Sequence, residues 1–160
     1  MNAVLTGVHH LKIWVSDLER SRSWYERVLG LEHRTSFQDE DGVIRGMSFA
    51  VPGAAFQIAL RENPGLARAL FDADPFALQV TLEGLGEWVA RLDGLGVPHS
   101  PIIRASAGHA LGFVDPDGVQ IRLYAPDEEV HATQVDPAGV YRPDQAADFT
   151  PAPAPGRDRD

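Results

Sequence analysis

Val8-His9-His10-Leu11-Lys12-Ile13-Trp14-Val15-Ser16-Asp17-Leu18 is the stretch on which the fold turns. From Val8 to Val15 the residues alternate. Leu11, Ile13 and Val15 share one face, while His10, Lys12 and Trp14 share the other, the pattern of a half-buried strand. Ser16-Asp17 then supplies a helix start, and Leu18, Arg22, Tyr25 and Leu29 recur at helical spacing up to Gly30. Three strands are expected next, at about 31–38, 44–51 and 55–61, with Gly42 and Pro52-Gly53 in the turns.

The order then restarts. Phe76 to Leu82 alternates again, with Leu78, Val80 and Leu82 opposite Ala77, Gln79 and Thr81. A helix carrying Trp88, Val89 and Leu92 is expected up to Leu95-Gly96, followed by strands at about 97–104, 108–114 and 118–125. Asp115-Pro116-Asp117-Gly118 reads as the hairpin turn between the last two. The two closing strands match by eye, Phe56-Gln57-Ile58-Ala59-Leu60 against Val119-Gln120-Ile121-Arg122-Leu123. Two βαβββ units of about 60 residues are therefore expected, one over about 7–62 and one over about 75–126.

Each unit has an apolar face for its helix and a more polar opposite face. Joined edge to edge, the two would give an α+β domain with a curved, cup-like mixed sheet and helices outside. His10, Lys12, Trp14, Gln57, Ala59, Arg61, Ala77, Gln79, Thr81, Gln120, Arg122 and Tyr124 would line that cup.

Composition bounds what such a domain can do. The 160 residues carry 14 basic and 23 acidic side chains, a formal net charge of −9. That balance argues against non-specific nucleic-acid or anionic-membrane binding, which need a basic footprint. No cysteine is present, so disulfides and thiolate metal sites are excluded. Nothing in Met1–Gly7 reads as a signal peptide, and no apolar run reaches the roughly 20 residues of a membrane span. A cytoplasmic protein is expected, and its arginine-rich, lysine-poor composition fits a bacterial source. Residues 1–126 form the domain in this reading. Residues 127–160 hold five prolines, six alanines and eight acids without periodicity, and are expected to be a mostly disordered tail.

His9 to Leu18, Ser23-Trp24-Tyr25 through Leu29-Gly30-Leu31, and Gly108-His109 to Asp115-Pro116-Asp117-Gly118 together resemble the vicinal oxygen chelate superfamily. Its members include glyoxalase I, extradiol dioxygenases and the fosfomycin- and bleomycin-resistance proteins. The resemblance implies four inward metal ligands, one on the first and one on the fourth strand of each unit. Those positions fall on His10, Ala59, Ala77 and Arg122. Alanine cannot coordinate and a guanidinium is itself a cation, so the usual metal site is not expected. A divalent metal would need a displaced site, built from His10 with His99 or His109. His9 is not expected to join His10, because strand neighbours face opposite ways.

What remains at the cup points to a small-molecule ligand. Lys12 is the only lysine beside 13 arginines, and with Arg61 and Arg122 it would make the cup basic. Arg122 suits bidentate recognition of a carboxylate or phosphate, while Trp14 and Tyr124 offer flat apolar contact. Gln57, Gln79 and His109 complete the candidate ligand-binding set. The expected function is metal-free binding or sequestration of an anionic or aromatic small molecule, as in the resistance proteins. The alternative is a glyoxalase- or dioxygenase-like lyase, isomerase or dioxygenase, with a displaced metal or with His10 as acid or base. A homodimer is the expected assembly. Gly84-Leu85-Gly86 is not a dinucleotide loop, since Val89 takes the third glycine position.

Overall fold

The computed structural model describes residues 3–105 and 107–128; the expected tail lies outside them from residue 129 onward. The chain divides into two units. The first runs up to Phe71 and includes Asp115–Asp117. The second takes Asp72–Val114 and the chain from Gly118 on.

In the first unit, β1 (His10–Val15), β2 (Glu32–Gln38), β3 (Ile44–Ala50) and β4 (Gln57–Glu62) form a mixed sheet in the order β1-β4-β3-β2. β1 pairs parallel to β4, and the other pairs are antiparallel. A parallel pair needs a crossover, and α1 (Leu18–Leu29) begins it. Asp17 caps α1, accepting from the Arg20 amide at 2.9 Å, and Gly30 ends it at φ 70°, a conformation that costs glycine nothing. The apolar stripe of α1 buries Leu18, Tyr25 and Val28, and the sheet buries Ile13, Val15, Met47, Phe49, Ile58 and Leu60. Full burial of each such side chain is worth about 1.5–3 kcal/mol.

The second unit repeats the plan with β5 (Ala77–Gln79), α3 (Leu82–Leu95), β6 (Ile103–Ala105), β7 (Gly108–Val114) and β8 (Gln120–Pro126). Its order is β5-β8-β7-β6, with β5 parallel to β8. Leu85 and Leu92 of α3 are buried, as are Leu111, Phe113, Ile121 and Leu123 of the sheet. The α+β class and the doubled strand order thus hold, as two four-stranded mixed sheets.

Three local features differ from the expected plan. A short helix, α2 (Pro64–Ala69), follows β4, started by Asn63 accepting from the Leu66 amide at 3.0 Å with proline in its first turn. Thr81 is not a strand residue but the N-cap of α3, accepting from the Gly84 amide at 3.0 Å, and Leu82 is helical. The strand expected at 97–104 reduces to the bridge His99–Phe113 and the three residues of β6. Pro98 and Pro101 explain that, since neither can donate to a ladder.

Asp115-Pro116-Asp117-Gly118 is more than a hairpin turn. Asp115, only 4% exposed, accepts from the buried Tyr25 hydroxyl at 2.9 Å and from the Asp117 amide at 2.8 Å. Burial, with the Asp115 charge beside it, lifts the Tyr25 hydroxyl well above its ordinary pKa, so it stays a donor. Asp117 accepts from the Ser16 amide and hydroxyl and pairs with Arg20 at 2.7 Å. These contacts place the turn in the first unit.

Candidate functional site

Register decides which side chains share a face. In the first sheet His10 lies beside Gln57, Lys12 beside Ala59 and Trp14 beside Arg61. Antiparallel pairing continues those rows to Ala50, Ser48 and Gly46. The six candidates of this unit therefore occupy one face, opposite Ile13, Val15, Ile58 and Leu60, as alternation requires.

Their partners are mostly aromatic. A Cβ at Gly46 would stand 2.6 Å from Cδ of Arg61, so the arginine lies across the glycine. Its guanidinium carbon then sits 5.2 Å from the centroid of the Phe37 ring. Lys12 Nζ is 6.0 Å from the Trp14 ring. Both are cation–π contacts in which the cation keeps its net charge. His9 and His10 correct an expectation. Their Nδ1 atoms are 2.9 Å apart, one ring donating to the other, because β1 begins only at His10 and His9 is not held to strand alternation.

In the second sheet Ala77 lies beside Arg122 and Gln79 beside Tyr124. Across β7 the same rows reach Gly112 and Ala110, and Gln120 faces Val114. Tyr124 lies close to Gly108, where a Cβ would stand 2.9 Å from the ring carbon Cε1. His109 is not on this face. It pairs with Ala125 and Arg104, on the side of buried Leu111 and Phe113, so alternation along β7 removes it from the candidate set.

Segment 72–74 runs beside the start of β8 and supplies two carboxylates absent from the expected set. The Gln120 amide nitrogen donates to the backbone oxygen of Ala73 at 2.8 Å, and the Asp72 amide donates to Gly118 at 2.9 Å. Those bonds deliver Asp72 to the Gln120 side-chain amide at 2.6 Å and Asp74 to the Arg122 guanidinium. Burial lifts the Asp74 carboxyl above its ordinary value, and the Arg122 charge and hydrogen bond oppose that lift. The expected open arginine is thus a closed ion pair.

Beside the pair lies a cavity of about 340 Å³. Ala110, Gly112 and Val114 of β7 make its floor, Ile103 and Ser100 bound it, and Gln120 and Arg122 supply its polar wall. Gly112 keeps the floor open. A Cβ there would meet only Ser100 Oγ, at 3.8 Å, so neither packing nor backbone demands glycine. The sequence signal for this floor is small residues at alternate positions, Gly108, Ala110 and Gly112; the signal for the clamp is Asp72-Ala73-Asp74-Pro75 just ahead of a strand.

The metal positions of the resembling family can now be tested for fit. Ala59 and Ala77 present methyl groups and Arg122 a paired cation, so this donor set does not fit a divalent ion. Of the displaced alternatives, His99 is already engaged: Nδ1 is 2.7 Å from the Ser100 carbonyl and Nε2 is 3.2 Å from the Asp93 carboxylate.

Comparison with known proteins agrees with the architecture. Over 133 residues the chain is 27% identical to the putative ring-cleaving dioxygenase MhqA of Bacillus subtilis. That match covers 78% of this chain but only 42% of MhqA. The antibiotic binding protein TnmS3 of a Streptomyces species superposes with a TM-score of 0.66 at 23% identity, covering 79% of this chain and 100% of that one. The fosfomycin resistance protein FosX of Listeria monocytogenes, in a form with Mn(II) and sulfate, gives 0.58 at 21% identity, covering 78% and 96%. The family description Glyoxalase/Bleomycin resistance protein/Dioxygenase superfamily matches residues 7–123. With two βαβββ units in the family's order and a match across most of its length, the chain belongs to the glyoxalase/bleomycin resistance protein/dioxygenase superfamily.

Proposed function

We propose that this protein is a small-molecule-binding member of its superfamily that works without the family's metal, seating its ligand in the cavity of the second unit. The observation that carries this reading is the replacement of three metal ligands by Ala59, Ala77 and an Arg122 already paired with Asp74. Nothing in that set can hold or activate a metal-bound substrate, whereas a concave apolar floor with a polar wall is what a binding pocket needs. Among structural neighbours, TnmS3 is an antibiotic binding protein, which supports small-molecule binding as a use of this fold. The aromatic half of the expected ligand class fits the floor best.

Two measurements test the reading together. Metal analysis of the purified protein is expected to find no stoichiometric nickel, zinc, iron or manganese. A full equivalent that disappears in His10→Ala would overturn the metal-free reading. A panel of aromatic compounds is expected to raise the melting temperature of the wild type but not of Gly112→Val, whose side chain fills the floor. Equal stabilisation of both proteins would remove the cavity as the binding site.

A further inference from the structure

Resting on the cavity reading above, we infer that Asp74 determines ligand charge, so that the cavity selects neutral over anionic aromatic molecules. An arginine on a pocket wall ordinarily recruits carboxylates and phosphates. Here the Arg122 guanidinium is held by Asp74, with side-chain exposures of 26% and 15%, so the charge meets its counter-ion inside the protein. An anion entering the cavity would meet a guanidinium whose charge Asp74 already balances, and it would leave its own hydration behind. It gains no uncompensated positive charge in return.

The neighbouring rung has the same design. Gln120, the other polar group of the wall, is engaged by the Asp72 carboxylate at 2.6 Å. Both polar wall residues are therefore backed by carboxylates from one three-residue segment. Backbone bonds from Asp72 and Ala73 to the start of β8 fix that segment in place. With one guanidinium against two carboxylates, the wall so built carries no net positive charge. The apolar floor of Ala110, Gly112 and Val114 takes a flat ring. Like-charge exclusion is one way a site discriminates between ligands of similar shape.

The isosteric probes 2-naphthamide and 2-naphthoate isolate the charge. Titration calorimetry at low salt on the wild type is expected to show the amide bound at least about tenfold more tightly. In Asp74→Asn the Arg122 charge is uncovered, and naphthoate is expected to gain at least about tenfold while naphthamide changes little. The double variant Asp74→Asn/Arg122→Gln removes both charges at similar volume and guards against a fold too weak to assay. It should bind naphthamide and lose the naphthoate gain. Naphthoate binding the wild type as tightly as the amide, or an unchanged ratio in either variant, would overturn the inference. Gly112→Val separates the two claims. If both probes bind it as they bind the wild type, the cavity reading fails whatever the charge preference. If neither probe binds the wild type, both fall.

Discussion

In the first unit Lys12 and Arg61 lie along a sheet face and meet the rings of Trp14 and Phe37; in the second, Arg122 at the matching depth of its sheet meets Asp74. A ring face attracts a cation through its quadrupole and leaves the net charge in place, whereas a carboxylate cancels it. The same strand order thus produces a positively charged face and an electrically balanced one. Register fixes where a side chain stands, and the neighbour that happens to reach it fixes its electrostatic meaning. The formal charge of −9 decides neither.

The strongest way to break the comparison is through the cores, where the two units are expected to be alike. Ile58 and Ile121 occupy the same position of the closing strand and are both fully buried. Replacing either with alanine is expected to cost about 2–5 kcal/mol, from lost transfer energy and the cavity left behind. Urea unfolding of the two variants measures it. Losses within a factor of two of each other keep the units equivalent; a negligible loss in one would show that its sheet does not share the cooperative core.

Tyr25→Phe sharpens the comparison from the other side, because its bond to Asp115 belongs to the first unit. The change leaves the nearly buried Asp115 carboxylate without the hydroxyl that donates to it at 2.9 Å. A loss of about 1.5–3 kcal/mol is expected in chemical denaturation, the range for hydrogen bonds to a charged group. A change below about 0.5 kcal/mol, the scale of an ordinary surface substitution, would mean that the turn is held by Asp117 alone.

These tests rest on features of unequal legibility. Alternation in His10–Val15 and its recurrence after Phe76 were enough for the doubled plan, because period two and period 3.6 are local properties of a chain. So were the sharing of one face by His10, Lys12 and Trp14 and the helix ends at Gly30 and Gly96. The clamp was not legible. Asp74 reaches Arg122 only because segment 72–74 extends the parallel pairing of β5 with β8, and a register between distant segments is not written in either one. His109, expected as a contact at the rim, stands opposite the Ala110–Gly112 row because alternation along β7 turns its side chain to the other face. The open floor was missed because a glycine inside a strand reads as a weakness until its surroundings show that a Cβ would fit.

A smaller effect, with a pH signature, belongs to Asp117. Burial would raise its carboxyl, but hydrogen bonds from Ser16 and Arg20 outweigh that and hold it below the ordinary 3.8. A folded value below the unfolded one stabilises the protein above pH 3.8, and the gain is lost as pH falls through the folded value. Asp117→Asn is therefore expected to cost about 1 kcal/mol near neutrality, since the Arg20 partner is half exposed. The gap to wild type should close in acid. Melting curves at pH 7 and pH 3 measure it, and a gap that widened in acid would reverse the assigned direction.

The least costly break is also the most specific to the first unit. Arg61→Met keeps most of the side chain's length across Gly46 and its contact with Phe37 but removes the charge. The expected loss is about 0.5–1 kcal/mol, the cation–π contribution at a partly exposed site, resolved against Phe37→Leu and the double variant in a mutant cycle. If the cycle shows no coupling, the guanidinium only lies near the ring, and its charge belongs to solvent. If coupling is present and survives high salt, the contact is held by the ring face rather than by long-range field, since screening weakens exposed charge pairs first. Either result fixes how much positive potential the first sheet keeps for itself, the quantity in which it differs from the second.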